Sequence, residues 1–187
     1  PRDEGKVTSI VGQGWAPAGA TIDWYRAQAK NLNGAGLDPA VVPGALHGAL
    51  TVLEQWGTMS FEAVAARAIE YAENGFALLP RTAQALEREF GFIQQWPANQ
   101  RYWLKPNGLP YAAGEVIQLP TLANTLKRMV AAEREAGGQG REAGVAAARD
   151  RFYKGDIAQE MVAFLQAHEA PFVIDDFAEF YARIEEP

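Results

Sequence analysis

Apolar residues along this chain recur mostly three and four positions apart, between interruptions of glycine, proline and asparagine. That spacing is the period of a helix with one buried face. Leu46, Ala49, Leu50 and Leu53 form one such stripe. Pro43 suits the first turn of that helix, where a missing N–H costs nothing, and Gly57 predicts a left-handed end. Ser60 is placed to cap a second stripe, Phe61, Val64, Ala65, Ala68, Ile69 and Ala72, which Gly75 closes. A shorter helix is predicted over 81–90. Leu122, Leu126, Met129 and Val130 mark another from Thr121, and the GGQG run at 137–140 predicts a break and a mobile loop. Helices follow over 141–153 and from Gly155, the latter carrying Ile157, Ala158, Met161, Val162 and Leu165. Thr21 is placed to cap a helix running to about Leu32, and Asp175 to cap a last short one over 176–180.

The remainder breaks this period. VTSIV at 7–11 predicts a short strand, NLNGAGLDP at 31–39 a loop, and residues 172–174 an extended link. Between Gly91 and Leu119, Pro97, Pro106, Pro110 and Asn107-Gly108 predict a turn-rich excursion with a short hairpin. The final ARIEEP begins a strand. The expectation is a mainly α chain, with about seven helices and few short strands, forming a single helical portion over residues 1–187. No segment recurs at a solenoid period.

Composition narrows the function classes. With 48% hydrophobic and 21% charged residues, the chain has a globular profile and enough length for a sizeable core. Its formal net charge is −6, and basic residues are scattered among acids. A nucleic-acid surface needs clustered Lys and Arg, so none is expected as a partner. No apolar run is long enough to span a bilayer, so no membrane partner is expected either. The absence of cysteine removes disulfides, thiolate nucleophiles and cysteine metal sites. PRDEGKV opens without an initiator methionine and ARIEEP closes without an evident terminal element, so both ends read as truncated.

Residue chemistry adds little that is complete. Gly12-Gln13-Gly14 follows the first strand, but a phosphate loop needs a third glycine or Gly-Lys-Ser/Thr before its helix, and Pro17 interrupts. His47 and His168 lie on different predicted helices without a ligand at metal spacing; packing suits the first and a helix C-terminus the second. Asp175-Asp176 reads as capping, and no Gly-x-Ser-x-Gly elbow is present. Trp15, Trp24, Trp56, Trp96 and Trp103 lack the basic groove of a stacking platform. From residues alone, the chain is a mostly helical domain or fragment without a full catalytic set.

Five segments in order carry a resemblance: APAGAT at 16–21, VPGALHGALTVLEQWGTMSFEAVAARAIEYAENGF at 42–76, QLPTLANTLKRM at 118–129, FYKGDIAQEMVAFLQ at 152–166 and IDDFAEFYARIEEP at 174–187. Together they resemble the middle and C-terminal part of the large subunit of the γ-glutamyltranspeptidase family. The resemblance implies an αββα N-terminal nucleophile hydrolase parent whose precursor cleaves itself into two subunits. A threonine beginning the small subunit would attack the γ-glutamyl amide, with its own α-amine as base. That threonine would lie beyond Pro187, so this chain is expected to be inactive alone and to contribute no catalytic residue. Its implied partners are the remaining large-subunit segment, the threonine-initiated small subunit and a small acyl-amide substrate. No cofactor or metal is implied.

Aligned through APAGAT, Gln13 falls where the transpeptidases carry an arginine for the glutamyl α-carboxylate. Glutamine supplies neither the charge nor the guanidinium fork. The resemblance therefore makes Gln13 a substrate-binding residue on the acylase side of the family; the plain alternative is an exposed turn residue. A non-catalytic helical interaction module is the competing reading of the whole chain. Helices deprived of their sheet would leave apolar surface, so the isolated chain is expected to self-associate.

Overall fold

The computed structural model describes residues 5–30, 32, 34 and 36–186. The first elements are β1 (Ser9–Val11), α1 (Ile22–Ala27), α2 (Ala45–Trp56), α3 (Phe61–Asn74), β2 (Phe76–Ala77) and α4 (Pro80–Arg88). Then come α5 (Phe90–Ile93), α6 (Pro97–Trp103), β3 (Val116–Ile117), α7 (Pro120–Ala136), α8 (Arg141–Tyr153), α9 (Asp156–Ala167), α10 (Ile174–Ala178) and β4 (Arg183–Glu185). The mainly helical class is as expected, and α2, α3, α4, α7, α8 and α9 lie where helices were predicted. Part of the predicted 31–39 loop lies outside the described residues.

Several local readings need correction. Among the described residues the short helices α5 and α6 add to the about seven expected, and they occupy part of the stretch read as turns. Pro97 stands in the first turn of α6 and starts a helix in a stretch expected to be turn-rich. The hairpin is present: Leu104 bridges Pro110, the Gly108 N–H donates to the Lys105 carbonyl at 2.8 Å, and Gly108 has φ +79°. Gly57 ends α2 in an extended conformation, φ −80°, not a left-handed one. A Cβ there would lie 2.4 Å from the Leu53 carbonyl oxygen, so space selects glycine at this position. The helix expected to run to about Leu32 stops at Ala27. GGQG forms a 3-10 turn, Gly137–Gln139, followed by Gly140 at φ +105°.

Burial also departs from the stripes. α2 buries His47, Gly48, Leu50 and Thr51, whereas Ala49 is exposed. Val64 on α3 and Leu122 on α7 are exposed as well. α10 starts at Ile174, two residues before the expected start, with Val173 and not Asp175 at its N-cap; the Asp176 carboxylate, in its first turn, accepts the Val173 N–H at 2.8 Å. Thr21 and Ser60 do cap their helices, accepting the N–H groups of Trp24 and Ala63 at 3.1 Å each.

The chain divides into two units, Pro1–Val64 with Arg128–Pro187, and Ala65–Lys127. In the first, α8 packs against α2 and α9, and β1 pairs antiparallel with β4, Ile10 opposite Ile184. Tyr153, Phe172, Phe177 and Phe180 dominate its core with Val42, Ala158 and Val162. In the second, β2 and β3 form an antiparallel ribbon, Phe76 opposite Ile117, and Leu78, Leu86, Ile93, Leu104 and Ile117 form the core. Among the described residues no helix is long and apolar enough to cross a membrane.

Candidate functional site

Gly14 and Gly44 are glycines because two backbones meet there. A Cβ on Gly14 would lie 1.9 Å from the Val42 carbonyl oxygen, and one on Gly44 2.4 Å from the Gly12 carbonyl oxygen. The Val42 N–H donates to the Trp15 carbonyl at 2.9 Å, closing this approach. No phosphate cradle results, because α1 begins only at Ile22 and its N-terminus is capped by Thr21. Between Gly12 and Gly14, Gln13 is exposed.

Downstream anchors hold the same edge. The Ala18 N–H donates to the Asp176 carboxylate at 2.8 Å, and Pro17 is buried. Trp15 meets Phe180 edge-on at 5.2 Å and Tyr181 at 5.0 Å. Trp15, two residues after Gln13, is 36% exposed and Tyr181 55%, so this aromatic pair is partly open to solvent. Sequence reading treated Trp15 as packing; its pairing with a residue on the final segment had no local signal.

Near the start of α2 lies a second cluster, along a cavity of about 410 Å³ lined by His47, Thr51, Glu54, Arg149 and Tyr153 among others. The Tyr153 hydroxyl accepts the His47 N–H at 2.9 Å and donates to the Pro43 carbonyl. His47 Nδ1 accepts the Ala182 N–H at 3.2 Å, which assigns the ring proton to Nε2. Burial, and secondarily the Arg149 charge, push the His47 pKa down to about 4. Thr51 Oγ1 lies 3.2 Å from Nδ1 but donates to the His47 carbonyl at 2.9 Å. A threonine and a histidine within reach suggest a nucleophile and its base. Here both are buried, the hydroxyl proton is committed to a carbonyl, and the imidazole is a weak base. The pair is therefore structural, in keeping with the packing role expected of His47.

The other sequence candidates do not converge on either cluster. His168 is the C-cap of α9, with Nδ1 2.8 Å from the Phe164 carbonyl. Lys30 lies over the Trp24 ring at 5.0 Å. Trp96 and Trp103 belong to the second unit. No group of three or more His, Cys, Asp or Glu among the described residues is arranged to hold a metal ion.

Comparison with known proteins gives a consistent answer. Residues 1–187 match the family described as Gamma-glutamyltranspeptidase. The glutathione hydrolase-like YwrD proenzyme of Bacillus subtilis (strain 168) is 28% identical over 167 residues, which are 89% of this chain and 29% of that relative. This chain thus spans less than a third of that relative's length. Among solved structures, an LmbA protein superposes with a TM-score of 0.88 at 32% identity, covering 97% of this chain and 33% of that one. Cephalosporin acylase from Bacillus halodurans superposes with a TM-score of 0.81 at 25% identity, covering 98% and 33%.

Proposed function

This chain belongs to the γ-glutamyltranspeptidase family, and we propose that it is the middle and later part of the large subunit of an acyl-amide hydrolase or acyltransferase precursor. The chemistry follows the pattern the family resemblance implies. A threonine hydroxyl outside this chain attacks the amide carbonyl, its proton passing to the threonine's own α-amine. The amine product leaves, and water or a second amine takes the acyl group from the ester. The present chain supplies helical scaffold and the substrate-side residue Gln13, and is inactive alone. Its relatives' names support this reading: one is a glutathione hydrolase-like proenzyme, another a cephalosporin acylase.

One observation carries the choice of substrate class: Gln13 is exposed on a backbone edge locked by Gly12, Gly14 and Gly44. Were an arginine there, a donor's α-carboxylate would gain a charge-assisted bond; with glutamine, donors lacking that carboxylate lose nothing. The reading is therefore an acylase-like enzyme. The complete gene product is the material for the test, by intact mass and N-terminal sequencing. Two chains, the smaller beginning with threonine, support self-cleavage; one uncleaved chain overturns it. In the cleaved enzyme, Gln13→Arg is expected to improve the KM for γ-glutamyl anilides by roughly 30-fold or more, the effect of one charge-assisted contact of ~2–3 kcal/mol. An unchanged preference between γ-glutamyl and simple acyl anilides removes Gln13 from the substrate site.

The outer positions of α2 and the start of α3 leave Val52, Trp56 and Val64 exposed. We assign this surface to contact with the remaining precursor segments. The isolated chain is then expected to self-associate as its concentration rises, read by light scattering after gel filtration. A monomer mass at the highest concentration tested contradicts that assignment.

A further inference from the structure

The unit Ala65–Lys127 contains an open cleft of about 470 Å³, lined by Arg101, Tyr102, Tyr111, Val116, Gln118 and Pro120. Arg101 is its one charged lining residue. Elsewhere in the unit Arg67, Arg88, Lys105 and Lys127 are each paired with a glutamate, and Arg81 does not line the cleft. Arg101 has no ion-pair partner among the described residues; its guanidinium lies 5.9 Å from the centre of the Tyr102 ring. The chain is acidic overall, with a formal net charge of −6, so a cleft whose only charge is an uncompensated guanidinium stands out chemically.

The walls around Arg101 are held in place. The Tyr102 hydroxyl and Thr121 Oγ1 are 2.8 Å apart. Gln118 Nε2 donates to the carbonyls of Glu73 and Asn74 at 3.2 and 3.4 Å, which fixes its amide and leaves Oε1 as a free acceptor. Tyr111 packs on the core of the unit, and Val116 is 59% exposed. Two phenol rings and a valine offer apolar contact beside the guanidinium fork, whose N–H groups match a carboxylate in bidentate geometry. A phosphate or a polyanion would call for several cations or a cradle of backbone N–H groups; this cleft has one cation.

We propose that this cleft binds a small organic monocarboxylate, with the carboxylate on Arg101 and an aromatic or short alkyl body against Tyr102, Tyr111 and Val116. The site lies in the second unit and does not depend on Gln13 or on the acylase reading. The probe is 3-phenylpropionate, titrated into the isotope-labelled 187-residue chain at low ionic strength and followed by amide chemical shifts. Saturable shifts are expected at the backbone amides of Arg101, Tyr102, Tyr111, Val116 and Gln118. The neutral analogue 3-phenylpropionamide is expected to bind about tenfold to a hundredfold more weakly, since it lacks the charge that pairs with arginine. Arg101→Gln is expected to weaken 3-phenylpropionate by a similar factor, with the spectrum otherwise unchanged because the side chain is exposed. Shifts elsewhere, no saturation, or equal affinity for the acid and the amide overturn the proposal. The last comparison needs no variant, so a poorly folding Arg101→Gln chain does not protect it.

Discussion

Glu133→Ala is expected to destabilise the chain by about 3–5 kcal/mol, because one buried carboxylate holds the start of a helix distant in sequence. Its two oxygens accept the N–H groups of Phe61 and Glu62, each at 2.6 Å, and Glu133 is 6% exposed. A helix N-terminus leaves four N–H groups without intrahelical partners. In α3, Ser60 takes that of Ala63 and Glu133 takes two more. The negative charge also lies at the positive end of the helix dipole. Truncation to alanine leaves two largely dry donors unpaired and a void beside α8. Gly144 on α8 is part of the arrangement, since a Cβ there would lie 3.0 Å from Glu133 Cγ. Urea unfolding followed by circular dichroism reads the effect as a lower midpoint. Glu133→Gln keeps one acceptor and is expected to lose about half as much. Glu62→Gln removes a carboxylate from the same turn that faces solvent and Arg134, and should leave the midpoint unchanged. Equal midpoints for Glu133→Ala and Glu62→Gln would mean that the cap contributes nothing.

Glu133 also shows where sequence reading stops. In the sequence it is a charged residue that continues the apolar stripe of α7, three positions after Val130 and four after Met129. Its partners are 72 and 71 residues earlier, and no local pattern connects them. Stripe, cap and stop signals are local, and they located α3 because that helix has all of them, and α9 by its stripe. They located α2 but not its buried face, which includes His47, whose Nδ1 accepts the Ala182 N–H beside β4, and Thr51, whose hydroxyl donates to the His47 carbonyl. α5 and α6 were hidden for another reason: they are too short to complete an apolar stripe, and Pro97 signals equally a break or a start. Gln13 could be singled out from its flanking glycines and the family resemblance. That those glycines admit the backbone of residues 42–44 could not, because the approach joins segments some thirty residues apart.

Acidification from pH 7 to 4 is expected to remove about 3 kcal/mol of stability through His47 alone. Its pKa is pushed down from 6.5 to about 4, first by burial and then by the neighbouring Arg149 charge, while its backbone hydrogen bond and the more weakly felt Glu54 and Asp150 oppose the shift. The residue is 9% exposed, so water screens little of this. Because the folded pKa is the lower one, the unfolded chain binds the proton more readily. The contribution is therefore complete above pH 6.5, declines as pH falls, and is gone below about 4. Structure gives the reason: Nδ1 accepts the Ala182 N–H, and a protonated ring has no acceptor to offer it. Ala182 directly precedes β4, whose pairing with β1 leads to the Gly12–Trp15 edge. Protonation of His47 should thus loosen β4 before the helices melt. Urea midpoints at pH 7.0, 6.0, 5.0 and 4.5, compared with those of His47→Asn, isolate the effect. Asparagine places an oxygen acceptor near Nδ1 and does not titrate, so its midpoints should be flat across pH 5–7 where those of the unmodified chain slope. Parallel slopes for the two proteins would assign the acid sensitivity to groups other than His47. A steeper loss of amide protection at Ile184 than in α8 or α9 as pH falls would trace the first opening to β4, and with it the edge that presents Gln13.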